Sequence, residues 1–159
     1  MRELTQSEIS ANYETLMHIR VVQKFLSEAC KELLDRAAKH DLSKLKDPEV
    51  STFAEFTPKL KTAAFGSPEY KQFLVDMAPA LENHYANNSH HPQHYTNGID
   101  GMDLFDLLEM ILDWKASTLR TKNGDVFKSL DIQKERFNIS NQLYNVLNNT
   151  LVRFGSKLE

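Results

Sequence analysis

Cysteine is nearly missing from this chain of 159 residues, with Cys30 the only one. An internal disulfide is therefore excluded, and Cys30, between Ala29 and Lys31 in a helical pattern, is expected to be a small buried or half-buried residue. Glycine and proline are scarce, five of each, which argues against a turn-rich β fold. No apolar run approaches the roughly 20 residues that a membrane helix needs. The first residues, MRELTQSEIS, lack the apolar stretch that a secretory leader carries behind its basic residue. A reducing, cytoplasmic setting with no membrane partner is expected. Charge of one sign is not in excess either: the formal net charge is −3, and no block of like charges offers a footprint for nucleic acid.

Long amphipathic stretches are present instead. Thr5-Gln6-Ser7-Glu8 reads as a capping box. The apolar residues from Ile9 through Leu16, Ile19, Val22, Leu26 and Leu33 recur at three- and four-residue steps, predicting a helix to about Lys39. His40-Asp41-Leu42-Ser43-Lys44 interrupts or restarts it. Asp47-Pro48-Glu49 and Gly66-Ser67-Pro68-Glu69 each have the grammar of a helix start, with a cap, a proline and an acid in the first turn. Pro58 is expected to kink the first of these helices, and Pro79 to kink or break the second, which should run to about Tyr85. Residues 86–101 hold Asn, Ser, His, Pro and Gly, a loop long enough to be functional rather than merely connecting. A helix from about Met102 to Lys122, an Asn123-Gly124-Asp125 turn and a last helix from about Phe127 to Arg153 complete the chain. The expectation is an all-α, compact single-domain bundle of about five to seven helices spanning 1–159.

The six histidines are not scattered: His84, His90, His91 and His94 crowd into and beside the one long loop. Neutral imidazole is the commonest nitrogen ligand for first-row metals, and Pro92 biases His91 toward an extended backbone. His94, with Tyr95, is either a residue orienting a ligand or an exposed one. Glu14 and His18 are one helical turn apart and so can grip one cation, or form an exposed pair. His40 and Asp41 are adjacent, so they approach a centre from two sides, and the two aspartate oxygens suit a bridge between ions. Lys44, a turn beyond Asp41, is placed to meet an anionic substrate. Asp113 lies in a strongly apolar helix, where a carboxylate is costly unless paired or metal-bound. Asp106, Glu109, Asp113 and Arg120 share a stripe, and Arg120 either receives a phosphate or pairs with a neighbouring acid.

An isolated His, then His-Asp, then further histidines, then a late Asp on another helix resembles the HD-domain superfamily of metal-dependent phosphohydrolases. The resemblance covers about residues 14 to 120. His40-Asp41-Leu42-Ser43-Lys44 looks like the H-D-x-G-K version, with Ser43 in place of Gly. His90-His91 before Gly98 looks like the H-H-E segment of the HD-GYP branch, although Pro92 stands at the Glu position and no Gly-Tyr-Pro follows. The whole-chain pattern also looks like a group of small phage and bacterial proteins built on a domain of unknown function. The superfamily resemblance implies that His18, His40, Asp41 and Asp113 are core metal ligands and that His84, His90 and His91 complete a second site. Glu14 matches an added carboxylate ligand, and Lys44 a lysine that touches substrate.

The implied cofactors are two divalent transition metals per chain, with Fe, Mn, Co and Zn all compatible. The implied activity is hydrolysis of a phosphate ester or anhydride, with a nucleotide as the implied substrate, by water activated between two ions. Asp41, Lys44 and Asp113 would be catalytic, and Lys44 and Arg120 would bind substrate. Two rivals remain: a mixed-valence di-iron oxygenase of a small alcohol or phosphonate, and a non-catalytic nucleotide-sensing metal-binding module. The last helix either completes the core or faces a second subunit of a homodimer.

Overall fold

A computed structural model of the protein describes residues 2–63, 66–120 and 124–155. They form seven α-helices and three short 3₁₀ turns, with no strand among the described residues. The chain divides into two compact units, Met1–Lys39 and His40–Glu159.

The first unit is α1, Gln6–Lys39. Its start follows from the predicted capping box: the Glu8 amide donates to Thr5 Oγ1 (3.3 Å) and the Thr5 amide to Glu8 Oε2 (2.8 Å). No residue of α1 is buried. Cys30, expected to be at least half-buried, is exposed.

The second unit opens with a 3₁₀ turn at Leu42–Leu45, followed by α2 (Glu49–Thr62), α3 (Pro68–Asp76) and α4 (Ala78–Asn87). Helix α2 runs through Pro58. Ser67 caps α3 by accepting from the Tyr70 amide at 3.1 Å. The chain then breaks at Met77, so that Pro79 falls in the first turn of α4, where a missing N–H costs nothing. The loop after Asn87 carries 3₁₀ turns at Pro92–His94 and Gly98–Gly101.

Helix α5 (Leu104–Thr118) starts at a reciprocal capping box of Asp103 with Asp106. The single last helix expected from Phe127 to Arg153 is two helices, α6 (Val126–Arg136) and α7 (Asn141–Gly155). Asn138 takes a left-handed backbone (φ 50°), which stops α6, and Ser140 Oγ accepts from the Leu143 amide at 3.2 Å to start α7. Asp125 caps α6, and the rest of the expected Asn123-Gly124-Asp125 turn lies at or beyond the edge of the described residues.

The core lies between α5, α6 and α7, where Met110, Ile111, Trp114, Leu130, Ile139, Leu147 and Leu151 are buried together. Trp114 stacks on Phe137 at an interplanar angle of 7°. Burying one such large apolar side chain is worth roughly 1.5–3 kcal/mol, so the apolar face of α5 fixes this helix firmly. The face carrying Asp106, Glu109 and Asp113 is thereby held toward the long loop and His40.

Candidate metal centre

The centre is built around Asp41. Helix α1 ends at Lys39, and Asp41 adopts a left-handed backbone (φ 57°, ψ 12°). That conformation costs most L-residues roughly 1–2 kcal/mol and is tolerated best by Asp and Asn. Asp41 stands where a helix cap would stand, yet its side chain caps nothing. The carboxylate is committed elsewhere, and the left-handed backbone at Asp41, rather than a continuing helix, sets it off from His40.

Its two oxygens face two sets of groups. Oδ1 lies 3.3 Å from His84 Nε2 and 3.5 Å from His90 Nε2. Oδ2 lies 3.5 Å from His40 Nε2 and accepts from Lys44 Nζ at 2.6 Å. His91 Nε2 is 2.9 Å from His84 Nε2, and Asp113 Oδ1 is 3.7 Å from His40 Nε2. Two ligand sets therefore meet at one aspartate: Asp41 with His84, His90 and His91, and Asp41 with His40 and Asp113.

Behind the imidazoles stand two further carboxylates. Glu109 Oε1 lies 2.8 Å from His40 Nδ1 and 3.1 Å from His90 Nδ1. Glu49, the first residue of α2 and fully buried, accepts from His84 Nδ1 at 2.9 Å. A carboxylate only accepts, so each favours a proton on Nδ1 and leaves Nε2 as the ring atom that faces Asp41. Glu49 is held in turn by Asn83 Nδ2 (2.7 Å) and Ser43 Oγ (3.1 Å), and Asn88 Nδ2 donates to Ser43 Oγ at 2.9 Å. Ser43 thus has a use of its own at the position where the resembling motif carries glycine.

The histidine-bearing loop is pinned to α5 by Asp106, a buried carboxylate. Ser89 Oγ donates to its Oδ1 at 2.7 Å and Tyr95 Oη to its Oδ2 at 2.5 Å, so both ends of the His90-His91 segment are tied to one side chain. A β-carbon on Gly101 would come within 2.3 Å of Asn97 Oδ1 and 2.7 Å of Tyr95 Cβ, so this approach needs glycine.

The donor set could hold a metal ion. Asp41 Oδ1 and His90 Nε2 are both buried and accept or donate no hydrogen bond, although such buried groups are usually paired. For bonds of about 2.0–2.2 Å to nitrogen and oxygen, neighbouring ligand atoms stand about 3.0–3.5 Å apart at octahedral or tetrahedral angles. The separations around Asp41 centre on that range. Burial raises the Asp41 carboxyl, but His84, Lys44 and His40 outweigh it and hold the group well below the usual carboxylate range. Asp113 is likewise pushed up by burial and, on balance, brought down by His40. Asp113, and then Glu109, raise His40 to about 10. Burial, with His90 and His84 nearby, pushes His91 down to about 3, so its lone pair is available at neutral pH.

Of the residues singled out in the sequence, His40, Asp41, Lys44, His84, His90, His91 and Asp113 come together here. Glu14 and His18 lie on α1, in the first of the two units, and the groups above all lie in the second. Arg120 is exposed just past the end of α5. His94 is exposed and donates from Nδ1 to the Tyr85 carbonyl at 2.7 Å. Glu49 was not singled out, and Glu109 was noted only on the stripe with Asp106, Asp113 and Arg120. Glu109 shares with Asp113 the apolar stretch Leu108-Glu109-Met110-Ile111-Leu112-Asp113-Trp114, so the cost of burying a carboxylate pointed to both.

An all-helical fold in which one carboxylate is shared by two groups of His and Asp side chains that could each hold a metal ion defines a candidate metalloprotein. The chain belongs to a family of unknown function (DUF5662), whose sequence profile matches residues 7–153. No curated protein and no solved structure matches it. Among the described residues, no helix is long and apolar enough to cross a membrane.

Proposed function

We propose that this protein is a metal-dependent phosphohydrolase acting on a phosphate ester or anhydride, with a nucleotide as the expected substrate class. The observation that carries this reading is Asp41: one oxygen faces His84 and His90, the other faces His40 and Lys44. Asp41 and Asp113 with His40 would hold one divalent ion, and Asp41 with His84, His90 and His91 a second. Such a pair supplies water activation at neutral pH and neutralisation of phosphoryl oxygens.

The chain's own residues do the rest. Glu109 and Glu49 keep Nδ1 of the ligand histidines protonated and their Nε2 atoms on target. Lys44 is half-buried, with its ammonium 5.2 Å from the Phe53 ring centroid and tied to Asp41 Oδ2. A lysine has donors and no lone pair, so it serves the substrate rather than the ion. With the Asp41 charge engaged by ligation, the Lys44 ammonium would be free to meet the charge that develops on phosphoryl oxygens. Arg120 is assigned an outer contact to the same substrate.

Protein loaded with Mn²⁺, Co²⁺ or Fe²⁺ and assayed without oxygen against nucleotide monoesters, diesters and anhydrides should release phosphate or a phosphorylated product. Turnover that requires both iron and O₂ would replace hydrolysis by oxygenation. Nucleotide binding to the loaded protein without any turnover would make the site a sensor.

A further inference from the structure

We infer that Glu109 is a positioning residue common to both metal positions, so that its loss weakens both, whereas loss of Glu49 weakens one. This inference rests on the metal-centre reading and concerns how that centre is held. A single oxygen, Glu109 Oε1, lies within 3.1 Å of Nδ1 on two histidines, His40 and His90. Those two histidines belong to different ligand sets: His40 to the set with Asp113, and His90 to the set with His84 and His91. Their rings are neighbours, with centroids 4.6 Å apart, and both Nε2 atoms stand 3.5 Å from Asp41, one on each oxygen.

The same three residues, His40, His90 and Glu109, could also gather around an ion of their own. Such an ion would use Nδ1 of both rings and leave both Nε2 atoms aimed at Asp41 without a use. The positioning role explains both ends of each ring at once: Nδ1–H donates to Glu109 and Nε2 offers its lone pair beside Asp41. Glu49 is the counterpart on the other side, touching His84 alone among the ligand histidines. The two glutamates thus differ in reach, and this difference is what the experiment reads.

The test is Co²⁺ titration of the parent, Glu109→Gln and Glu49→Gln, with the two binding steps resolved by calorimetry. The amide keeps shape and one acceptor while removing the charge that makes imidazole a better ligand. Losses of about 10–100-fold in affinity are typical when such outer partners are changed. Glu109→Gln should show that loss in both steps, and Glu49→Gln in one. Far-ultraviolet dichroism and unfolding of the metal-free variants check that each has folded. An independent reading uses the parent alone: imidazole ¹⁵N spectra of Zn²⁺-loaded protein should show Nδ1 protonated and Nε2 metal-bound on both His40 and His90. This second measurement stands even if a variant fails to fold. If Glu109→Gln weakens only one step or neither, or if either ring binds through Nδ1, the shared role is wrong. A parent that takes up fewer than two ions contradicts the metal-centre reading itself, a different failure from the first.

Discussion

Asp41 Oδ1 and His90 Nε2 face each other at 3.5 Å, both buried and neither hydrogen-bonded. Glu109 beside His90 Nδ1 favours the tautomer that leaves Nε2 unprotonated. A carboxylate oxygen and an imidazole lone pair then confront one another across a gap that a cation would fill. The metal reading of the site grows from this pair, and its consequences can be measured.

Asp41→Asn should lower uptake at both positions together, because the residue belongs to both ligand sets. Asparagine is the informative replacement: it tolerates the left-handed backbone at φ 57°, whereas alanine would add strain of roughly 1–2 kcal/mol and confuse folding with ligation. Elemental analysis of the purified variant should show less than one ion per chain. Parental metal content in Asp41→Asn would remove the bridging role.

Lys44→Met separates holding metal from using it. The variant should keep near-parental metal content, because methionine preserves most of the stem and the ammonium is no ligand. Turnover should fall about 10²–10³-fold if Lys44 stabilises transition-state charge as well as one oxyanion donor does. A rise in KM at unchanged kcat would mean uniform substrate binding instead. Unaltered kcat/KM would leave Lys44 as only the ion-pair partner of Asp41.

Metal affinity should rise with pH through the neutral range. His40 is raised to about 10 by Asp113 and Glu109, so in the metal-free protein it carries a proton that an incoming ion has to displace. One proton released per ion at that position corresponds to about tenfold in affinity per pH unit below this value. His91, already pushed down to about 3, contributes no proton at neutral pH. The stability of the metal-free protein runs the other way: the His40 contribution is fully present below its unfolded value of about 6.5 and is lost as pH rises through about 10. Calorimetry in buffers of different ionisation enthalpy counts the protons, and an affinity independent of pH would contradict the His40 assignment.

Asp106→Asn should loosen the histidine loop without touching a ligand. The amide offers one acceptor oxygen where Ser89 and Tyr95 now use two. Leaving a buried hydroxyl or amide unmatched costs about 1–3 kcal/mol. Thermal unfolding should shift down accordingly, and amide exchange over residues 88–97 should quicken. Unchanged exchange in that segment would show that the loop is held by other contacts.

Much of the fold could be read locally because its signals are local. The Thr5–Glu8 box, the Ser67-Pro68-Glu69 start and the break near Pro79 each depend on neighbours within a few residues, and each element lies where those residues place it. The division of the last helix was hidden because apolar positions continue on both sides of Asn138, and the left-handed turn there shows only as one asparagine. The residues gathered in the second unit were marked by type and company: histidines crowded at 84–94, a His-Asp pair, and an acid in an apolar helix. Glu49 was not, since it reads locally as an ordinary acid in a helix's first turn. Its partner His84 is 35 residues away, and His40 is 69 residues from Glu109. Periodicity carries no information on contacts at that separation.

The central claim is that Asp41 joins two metal positions. Its most direct test is metal analysis of protein purified without added metal and then reconstituted separately with Mn²⁺, Co²⁺, Fe²⁺ and Zn²⁺, beside His90→Ala and Asp113→Ala. The account predicts about two ions per chain in the parent with at least one of these metals. Each variant should keep about one, His90→Ala losing the ion shared with His84 and His91, and Asp113→Ala the ion shared with His40. A parent that takes up fewer than two ions with every one of the four metals, or variants that bind as the parent does, would contradict it.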